Sequence, residues 1–257
     1  MSFDALFDLT GKVAIVTGGG NGIGKACCEM LADAGAAVVV SDLKMEDAQM
    51  VADQIINAGG RALAVSCNVT KDEDLAGLVE KTIAEFGAVH VLVNNAGGGG
   101  GGRENPFKIT VDDFAWVFKL NVFSAWRLSQ LCVPHMKQAG YGSIINITSM
   151  SSVNKSPNMS AYAASKAAMN HMTCNLAHDF GPEVRINAVG PGATKTAALA
   201  SVLTPEIEAK MLAHTPIKRL GEASDIAGAV LYFAAPVSAW VSGQIVFVNG
   251  GGVQTLD

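Results

Sequence analysis

The sequence predicts an α/β fold: a single open sheet of about seven parallel strands, doubly wound, with helices on both faces. Three observations carry this expectation. Short apolar, β-branched runs recur at VAIVT (13–17), AVVVS (37–41), ALAVS (62–66), VHVLV (89–93), SIINIT (143–148), VRINAV (184–189) and IVFV (245–248). They do not alternate with polar residues, which is the pattern of strands buried on both faces. Stretches of helical periodicity lie between them, at 23–34, 46–57, 73–86, 112–138, 160–180 and 224–234. Strand and helix therefore alternate as in right-handed βαβ units. No Pro- or Ser-rich linker divides residues 1–257, so one domain is expected.

Of the 257 residues, 49% are hydrophobic and 16% charged, and the formal net charge is −5. An apolar share this high excludes a disordered chain. Net acidity without a Lys/Arg block argues against nucleic acid or an anionic membrane as partner. The low charged fraction, against about 25% in an average globular protein, points to surface buried in an oligomer. The five cysteines (Cys27, Cys28, Cys67, Cys132, Cys174) match neither a disulfide framework nor a zinc pattern. The first residues, MSFDALFDLT, lack the regions of a signal peptide, and no apolar run reaches 18 residues. A cytoplasmic protein is expected. The histidines His90, His135, His171, His178 and His214 lack metal-ligand spacing, so no metal is expected.

The first strand runs into Thr17-Gly18-Gly19-Gly20-Asn21-Gly22-Ile23-Gly24 and then a helical pattern. Glycines there permit a tight turn, approach of backbone to a pyrophosphate, and close packing of helix on strand; the helix N-terminus offers free N–H groups. This is the phosphate turn of a Rossmann-type sheet. The second strand ends at Ser41-Asp42, about 20 residues on, where an acidic side chain accepts from the adenosine ribose hydroxyls. Asp42 would repel a 2′-phosphate, and neither Asn21 nor Leu43 supplies a cation, which favours NAD over NADP.

Six consecutive glycines at 97–102 follow the fourth strand, and their free backbone predicts a loop at the carboxyl edge of the sheet. Residues 193–220 form an insertion after the sixth strand. Its apolar positions Leu199, Val202, Leu203, Ile207, Met211 and Leu212 form a helical stripe broken at Thr204-Pro205. At the carboxyl edge such an insertion is placed to cover a ligand. In the helical stretch 160–180, Tyr162 and Lys166 stand one turn apart on one face. A phenol titrates near 10, and a neighbouring ammonium would bring it toward the range of a working proton shuttle.

The turn TGGGNGIG, Asn94-Asn95-Ala96-Gly97, Asn121, Ser149, Tyr162-Ala-Ala-Ser-Lys166 and Pro191-Gly192 occur in that order over essentially the whole chain. The set resembles the short-chain dehydrogenase/reductase family. The resemblance implies that Tyr162 exchanges a proton with the substrate oxygen and that Lys166 lowers the phenol pKa and binds the nicotinamide ribose. It implies that Ser149 bonds the reacting oxygen and that Asn121 holds a water linking Lys166 to solvent. It further implies cofactor contacts from Gly18, Asn21, Gly22, Ile23, Gly24, Asp42, Leu43, Asn68, Val69, Asn95, Gly97, Pro191, Gly192, Thr194 and Thr196, besides Tyr162 and Lys166. Where the family usually has an Asp for the adenine amino group, this chain has Asn68. A neutral acceptor there weakens adenine binding by on the order of 1 kcal/mol.

The stretches LNVFSAWRLSQL, NKSPNMSAYAASKAA, TPEIEAKMLAHTPIKRLG and WVSGQIVFVNGGGVQTLD resemble the NAD-dependent 7α-hydroxysteroid dehydrogenase branch of that family. This implies oxidation of the 7α-hydroxyl of a bile acid or other steroid to the 7-ketone, with Gly99, Ser149, Asn154 and Tyr162 facing the substrate. An apolar lid suits a rigid ring system. Two stretches depart from the branch: a longer glycine run followed by Arg103-Glu104-Asn105, and polar Thr194-Lys195. Lys195 either pairs with a bile-acid carboxylate or points to solvent. The alternatives are a same-family enzyme for a sugar alcohol or 3-oxoacyl thioester, or an NAD(H)-binding regulatory protein without turnover. Family relatives are mostly tetramers, and the apolar stretch 112–138 fits a homotetramer.

Overall fold

The structure, a computed structural model, describes residues 3–99, 104–155, 157–200 and 203–252. Gly100, Gly101, Gly102 and Arg103 of the glycine-rich stretch, Val202 of the insertion and the tail from Val253 lie outside the described residues. In chain order the elements are α1 (Phe3–Phe7), β1 (Val13–Thr17), α2 (Gly22–Asp33), β2 (Ala37–Asp42), α3 (Met45–Asn57), β3 (Arg61–Ser66), α4 (Asp72–Phe86) and β4 (Val91–Asn94). Then come α5 (Val111–Phe118), a π-helical turn (Lys119–Phe123), α6 (Ser124–Gln138), β5 (Gly142–Ile147) and α7 (Ser160–Phe180). The chain ends with β6 (Val184–Pro191), α8 (Ala197–Ala200), α9 (Pro205–Ala213), α10 (Ala223–Ala234) and β7 (Ile245–Val248).

All seven strands pair in parallel, in the order β3-β2-β1-β4-β5-β6-β7. The order reverses between β1 and β4, so their carboxyl ends open a crevice where a ligand binds in this class of sheet. The missing polar alternation has a direct cause. Ala14, Val16, Val38, Val40, Val91, Val93 and Ile145 point to one face and join Leu31 of α2, Val51 of α3 and Phe233 of α10. Ile15, Val39, Leu92 and Ile144 point to the other and join Leu78 of α4, with Leu128 and Met136 of α6. Both sets are apolar because both faces are covered.

Two elements differ from the sequence expectation. The fourth strand starts at Val91 rather than Val89, because the His90 ring takes a place in the edge pairing. Its Nδ1 accepts the Val13 N–H at 3.0 Å while the His90 backbone N–H donates to the Val13 carbonyl at 2.9 Å. The single helix expected at 112–138 is three pieces, with a π turn at Lys119–Phe123 in the middle. Such turns insert one residue into the ladder and occur often at functional sites.

Accepting at Nδ1 requires a neutral ring, and burial with the nearby Lys12 charge holds the His90 pKa below its ordinary 6.5. The unfolded chain therefore takes up this proton first on acidification. Urea unfolding should show stability that is full above pH 6.5 and falls as pH drops from 6.5 toward the lower folded-state pKa. His90→Gln should flatten that limb; an identical limb in the variant would assign it to other groups.

Candidate active site

The first βα turn is built for a close approach. A Cβ on Gly24 would stand 2.0 Å from the Gly18 carbonyl oxygen, so only glycine lets α2 start this near β1. Gly22 sits at φ +53, in the left-handed region. Asn21 makes no side-chain cap bond, so side-chain capping does not satisfy the first N–H groups of α2. A positively polarised helix end behind a cradle that a Cβ would fill fits the diphosphate of a dinucleotide. At the end of β2 the half-buried Asp42 carboxylate accepts from the backbone N–H of Gly20 at 3.0 Å and of Lys44 at 3.2 Å. Asp42 thus borders the turn, and Leu43 beside it is 65% exposed.

Asn95 joins this turn to β4. Its Nδ2 donates to the carbonyls of Thr17 and Gly18, both at 2.9 Å. The Thr17 hydroxyl accepts from the Asn95 and Ala96 N–H groups at 3.1 and 3.0 Å. Asn95 therefore shapes the glycine turn. Asn68 is turned inward on itself: its Oδ1 accepts from the Thr70 N–H at 3.0 Å and the Thr70 hydroxyl at 2.8 Å. The acceptor that the sequence offered to adenine is already engaged within the loop. Val69 is buried next to it.

Lys166 and Tyr162 stand on α7 as the four-residue spacing requires. The Lys166 ammonium is buried, donates to the Ile147 carbonyl at 2.8 Å and touches the Met169 Sδ at 3.7 Å. Burial brings its pKa down from 10.5 to about 8. Gly97 passes close by: a Cβ there would lie 2.8 Å from the Asn121 Oδ1 and 3.2 Å from the Lys166 Nζ. Asn121, in the π turn, accepts the Gly98 N–H at 2.9 Å and donates to the Gly98 carbonyl and the Ser165 hydroxyl, both at 2.8 Å. The π turn is what brings this amide inward, and Asn121 is 1% exposed.

The expectation that the ammonium lowers the phenol pKa is not met by the geometry. The Lys166 Nζ is 5.9 Å from the Tyr162 ring centroid and is directed at Ile147. Burial pushes the phenol above its ordinary 10, and the opposing pull comes from a hydrogen bond with Ser149. Ser149 follows β5 and starts a short 3-10 turn, where its Oγ accepts the Ser151 N–H at 3.1 Å. Its proton is left for the Tyr162 oxygen. Asn154 closes the same turn, its N–H donating to the Met150 carbonyl at 3.0 Å. Gly99 packs on Val117 of α5 at φ +116, where a Cβ would come within 2.8 Å of that side chain.

The insertion is closed at its base by a parallel bridge between Thr194 and Gly221. Thr204 caps α9 and Pro205 takes its first position, which explains the break in the apolar stripe. Thr196 lies over the glycine turn, with its Cγ2 3.5 Å from where a Gly22 Cβ would be. Pro191 is buried at the end of β6, and the Gly192 N–H donates to the Val248 carbonyl at 2.9 Å. Lys195 forms an ion pair with Glu222 at 2.7 Å and stays half exposed. The cysteines are all free, and burial pushes Cys27 up to about 12, as suits inert packing groups. Among the described residues no cluster has the makings of a metal site.

Two groups have bonding roles that the sequence did not announce. Asn94 and Asn146 form a buried amide pair at 2.9 Å that continues to the Thr173 hydroxyl at 2.9 Å, linking β4, β5 and α7. An Asn inside the apolar run SIINIT was the available signal. Glu104 is the other: it lies 8% exposed against the first turn of α7.

Comparison with known proteins places these residues in context. A family model described as enoyl-(acyl carrier protein) reductase matches residues 18–252. The chain is 50% identical over 250 residues to a 7α-hydroxysteroid dehydrogenase of Escherichia coli K12, covering 97% of both chains. It is 38% identical over 250 residues to a 4-formylbenzenesulfonate dehydrogenase of Comamonas testosteroni, covering 95% of this chain and 98% of the relative. A solved 7α-hydroxysteroid dehydrogenase in complex with NADH and 7-oxo glycochenodeoxycholic acid superposes with a TM-score of 0.96 at 49% identity, covering 100% of both chains.

Because the Ser149 hydrogen bond opposes the effect of burial, Ser149→Ala should move the Tyr162 phenol further above 10. The phenolate absorbance of wild type minus Tyr162→Phe, compared with the same difference in the Ser149→Ala background, reads this directly. An unchanged or lower midpoint would remove Ser149 from contact with the phenol.

Proposed function

The chain belongs to the short-chain dehydrogenase/reductase family, and on that premise we propose that it oxidises the 7α-hydroxyl of a bile acid to the 7-ketone with NAD. The observation that carries the reading is the 50% identity to a 7α-hydroxysteroid dehydrogenase across 97% of both chains. Ser149, Tyr162, Lys166 and Asn121 converging on one crevice support it.

Gly18, Asn21, Gly22, Ile23 and Gly24 take the diphosphate, Asp42 and Leu43 the adenosine ribose, and Val69 and Asn68, whose Oδ1 is held by Thr70, flank the adenine. Asn95 and Gly97 line the middle of the site; Pro191, Gly192, Thr194 and Thr196 take the nicotinamide end. When bound, the nicotinamide of NAD supplies the hydride acceptor. Tyr162 takes the proton of the 7α-hydroxyl and passes it on toward solvent.

 The proton's route runs from Tyr162 toward Lys166, whose ammonium keeps donor capacity beyond its bond to Ile147. Ser149 donates to the reacting oxygen as charge develops there. Asn121 holds the loop and α7 at the distance this requires, and in the working enzyme it positions the water that links Lys166 to solvent.

The insertion 193–220 serves as the substrate lid, with Leu199, Leu203, Ile207, Met211 and Leu212 offering apolar contact to the ring system. Gly99 and Asn154 face the same cleft. A homotetramer in the cytoplasm completes the reading. Its support is exposed apolar surface: Phe123 and Trp126 border a groove of about 840 Å³ beside α4 and α6, and Trp116 and Trp240 are also exposed. Among the described residues no helix is long and apolar enough to cross a membrane. A 3-oxoacyl thioester, the chemistry nearest to the family model's description, pairs less well with Asp42, because such enzymes usually use the 2′-phosphorylated cofactor.

Cholate and deoxycholate differ by the 7α-hydroxyl, and NADH formation with each tests the reading. Turnover of cholate alone is expected; turnover of neither would sink the steroid assignment. Tyr162→Phe should lower cholate turnover by ~10²-fold or more while NADH still binds. Asp42→Ala should lower the ratio of kcat/KM with NAD to that with NADP by about tenfold, equivalent to roughly 1.4 kcal/mol of repulsion removed. An unchanged ratio would place the discrimination elsewhere.

A further inference from the structure

The helix that carries Tyr162 and Lys166 has no cap of its own. At its N-cap position, Met159, no side-chain cap bond forms. The free N–H groups of the first turn are instead taken by a residue more than 50 positions earlier. Glu104 Oε2 accepts from the Ser160 hydroxyl and the Ala161 N–H, both at 2.9 Å, and Oε1 accepts from the Tyr162 N–H at 2.9 Å. The Glu104 backbone N–H donates to the Asn158 carbonyl at 3.2 Å, so main chain and side chain both grip the same corner. The carboxylate is 8% exposed, and among the described residues no cation forms an ion pair with it. Its charge is met by the positive end of a 21-residue helix.

We propose that Glu104 is a positioning residue for proton transfer, capping the catalytic helix from the loop after β4 and fixing where the Tyr162 hydroxyl stands against Ser149. Tyr162 and Ser149 come from different elements, α7 and the end of β5, so their contact depends on how far α7 advances along its axis. Deeper ties hold the helix farther along: Asn121 to the Ser165 hydroxyl, Lys166 to Ile147, and Asn170 Nδ2 to the Ser152 hydroxyl, each at 2.8 Å. Glu104 holds the turn in front of them, and one of its bonds is to the Tyr162 backbone itself. A misplacement of about 1 Å at reacting groups costs up to 10²-fold in rate. The diphosphate and adenosine part of the nucleotide cradle lies on β1, β2 and α2, away from this contact, so most of the cofactor affinity is independent of it.

This inference rests on Tyr162 acting as the acid/base group, and wild-type turnover of cholate tests that reading separately. Glu104→Ala and Glu104→Gln are compared with wild type for kcat, for NADH dissociation constant by cofactor fluorescence, and for amide exchange in α7. The expected result is kcat about tenfold lower in Glu104→Ala, an intermediate loss in Glu104→Gln, and NADH affinity within twofold throughout. Exchange of the Ala161 and Tyr162 amides should rise about tenfold in Glu104→Ala while the Thr173 amide is unchanged. Equal kcat in all three proteins overturns the proposal, as does loss of kcat and NADH affinity in proportion. If Glu104→Ala does not fold, Glu104→Gln decides alone: lowered kcat at unchanged NADH affinity supports the role, and wild-type kcat refutes it. If wild type turns over no cholate, unchanged exchange at Ala161 and Tyr162 refutes it, and faster exchange confined to them supports it.

Discussion

An ammonium buried without a carboxylate is the constraint on which the site depends. Lys166 is 4% exposed, and among the described residues no acidic side chain lies within ion-pair distance of it. Holding a charge there is unfavourable by on the order of 3 kcal/mol, the equivalent of a pKa brought from 10.5 to about 8. Dipoles offset part of that cost. The carbonyl of Ile147, at the end of β5, receives the charge directly, and the Asn121 Oδ1 stands across the narrow space left by Gly97. Each belongs to a different element, which explains why β5, the π turn and the loop after β4 must meet at α7.

Buried amides make that meeting rigid. Asn94, Asn146 and Thr173 form a chain across β4, β5 and α7, with Asn94 reaching the Ser129 hydroxyl of α6 at 3.3 Å. An unpaired amide at such depth costs about 1–3 kcal/mol, so the chain holds only when all its members are in place. Beneath the nucleotide half, Asn95 and Thr17 do the same for the glycine turn. The two halves share the carboxyl end of β4, where Asn94 faces one way and Asn95 the other. Catalytic and cofactor-binding residues are thereby fixed to one edge of the sheet.

The fold was legible because its signals are periodic. Continuous apolar runs mark strands buried on both faces, and Ile15 between Ala14 and Val16 shows the alternation that polarity could not. The site was legible where spacing is itself geometry, as in the four residues from Tyr162 to Lys166 or the glycines of the first turn. It was hidden where a bond joins distant positions. Asn121 was named through the resemblance, but the π turn that carries it read as plain helix, because its inserted residue leaves no mark on hydrophobic periodicity. Glu104 read as part of a loop, because nothing local announces that it caps a helix beginning at Ser160.

The central claim is direct transfer of hydride from the substrate carbon within this crevice, with the proton leaving by a separate route through Tyr162. Cholate carrying deuterium at C7 tests it most directly, with product ketone and reduced cofactor both examined for the label. The account predicts one deuterium in NADH for each 7-ketone formed and none in water. Ketone formation with deuterium released to solvent, or no ketone at all, would contradict it.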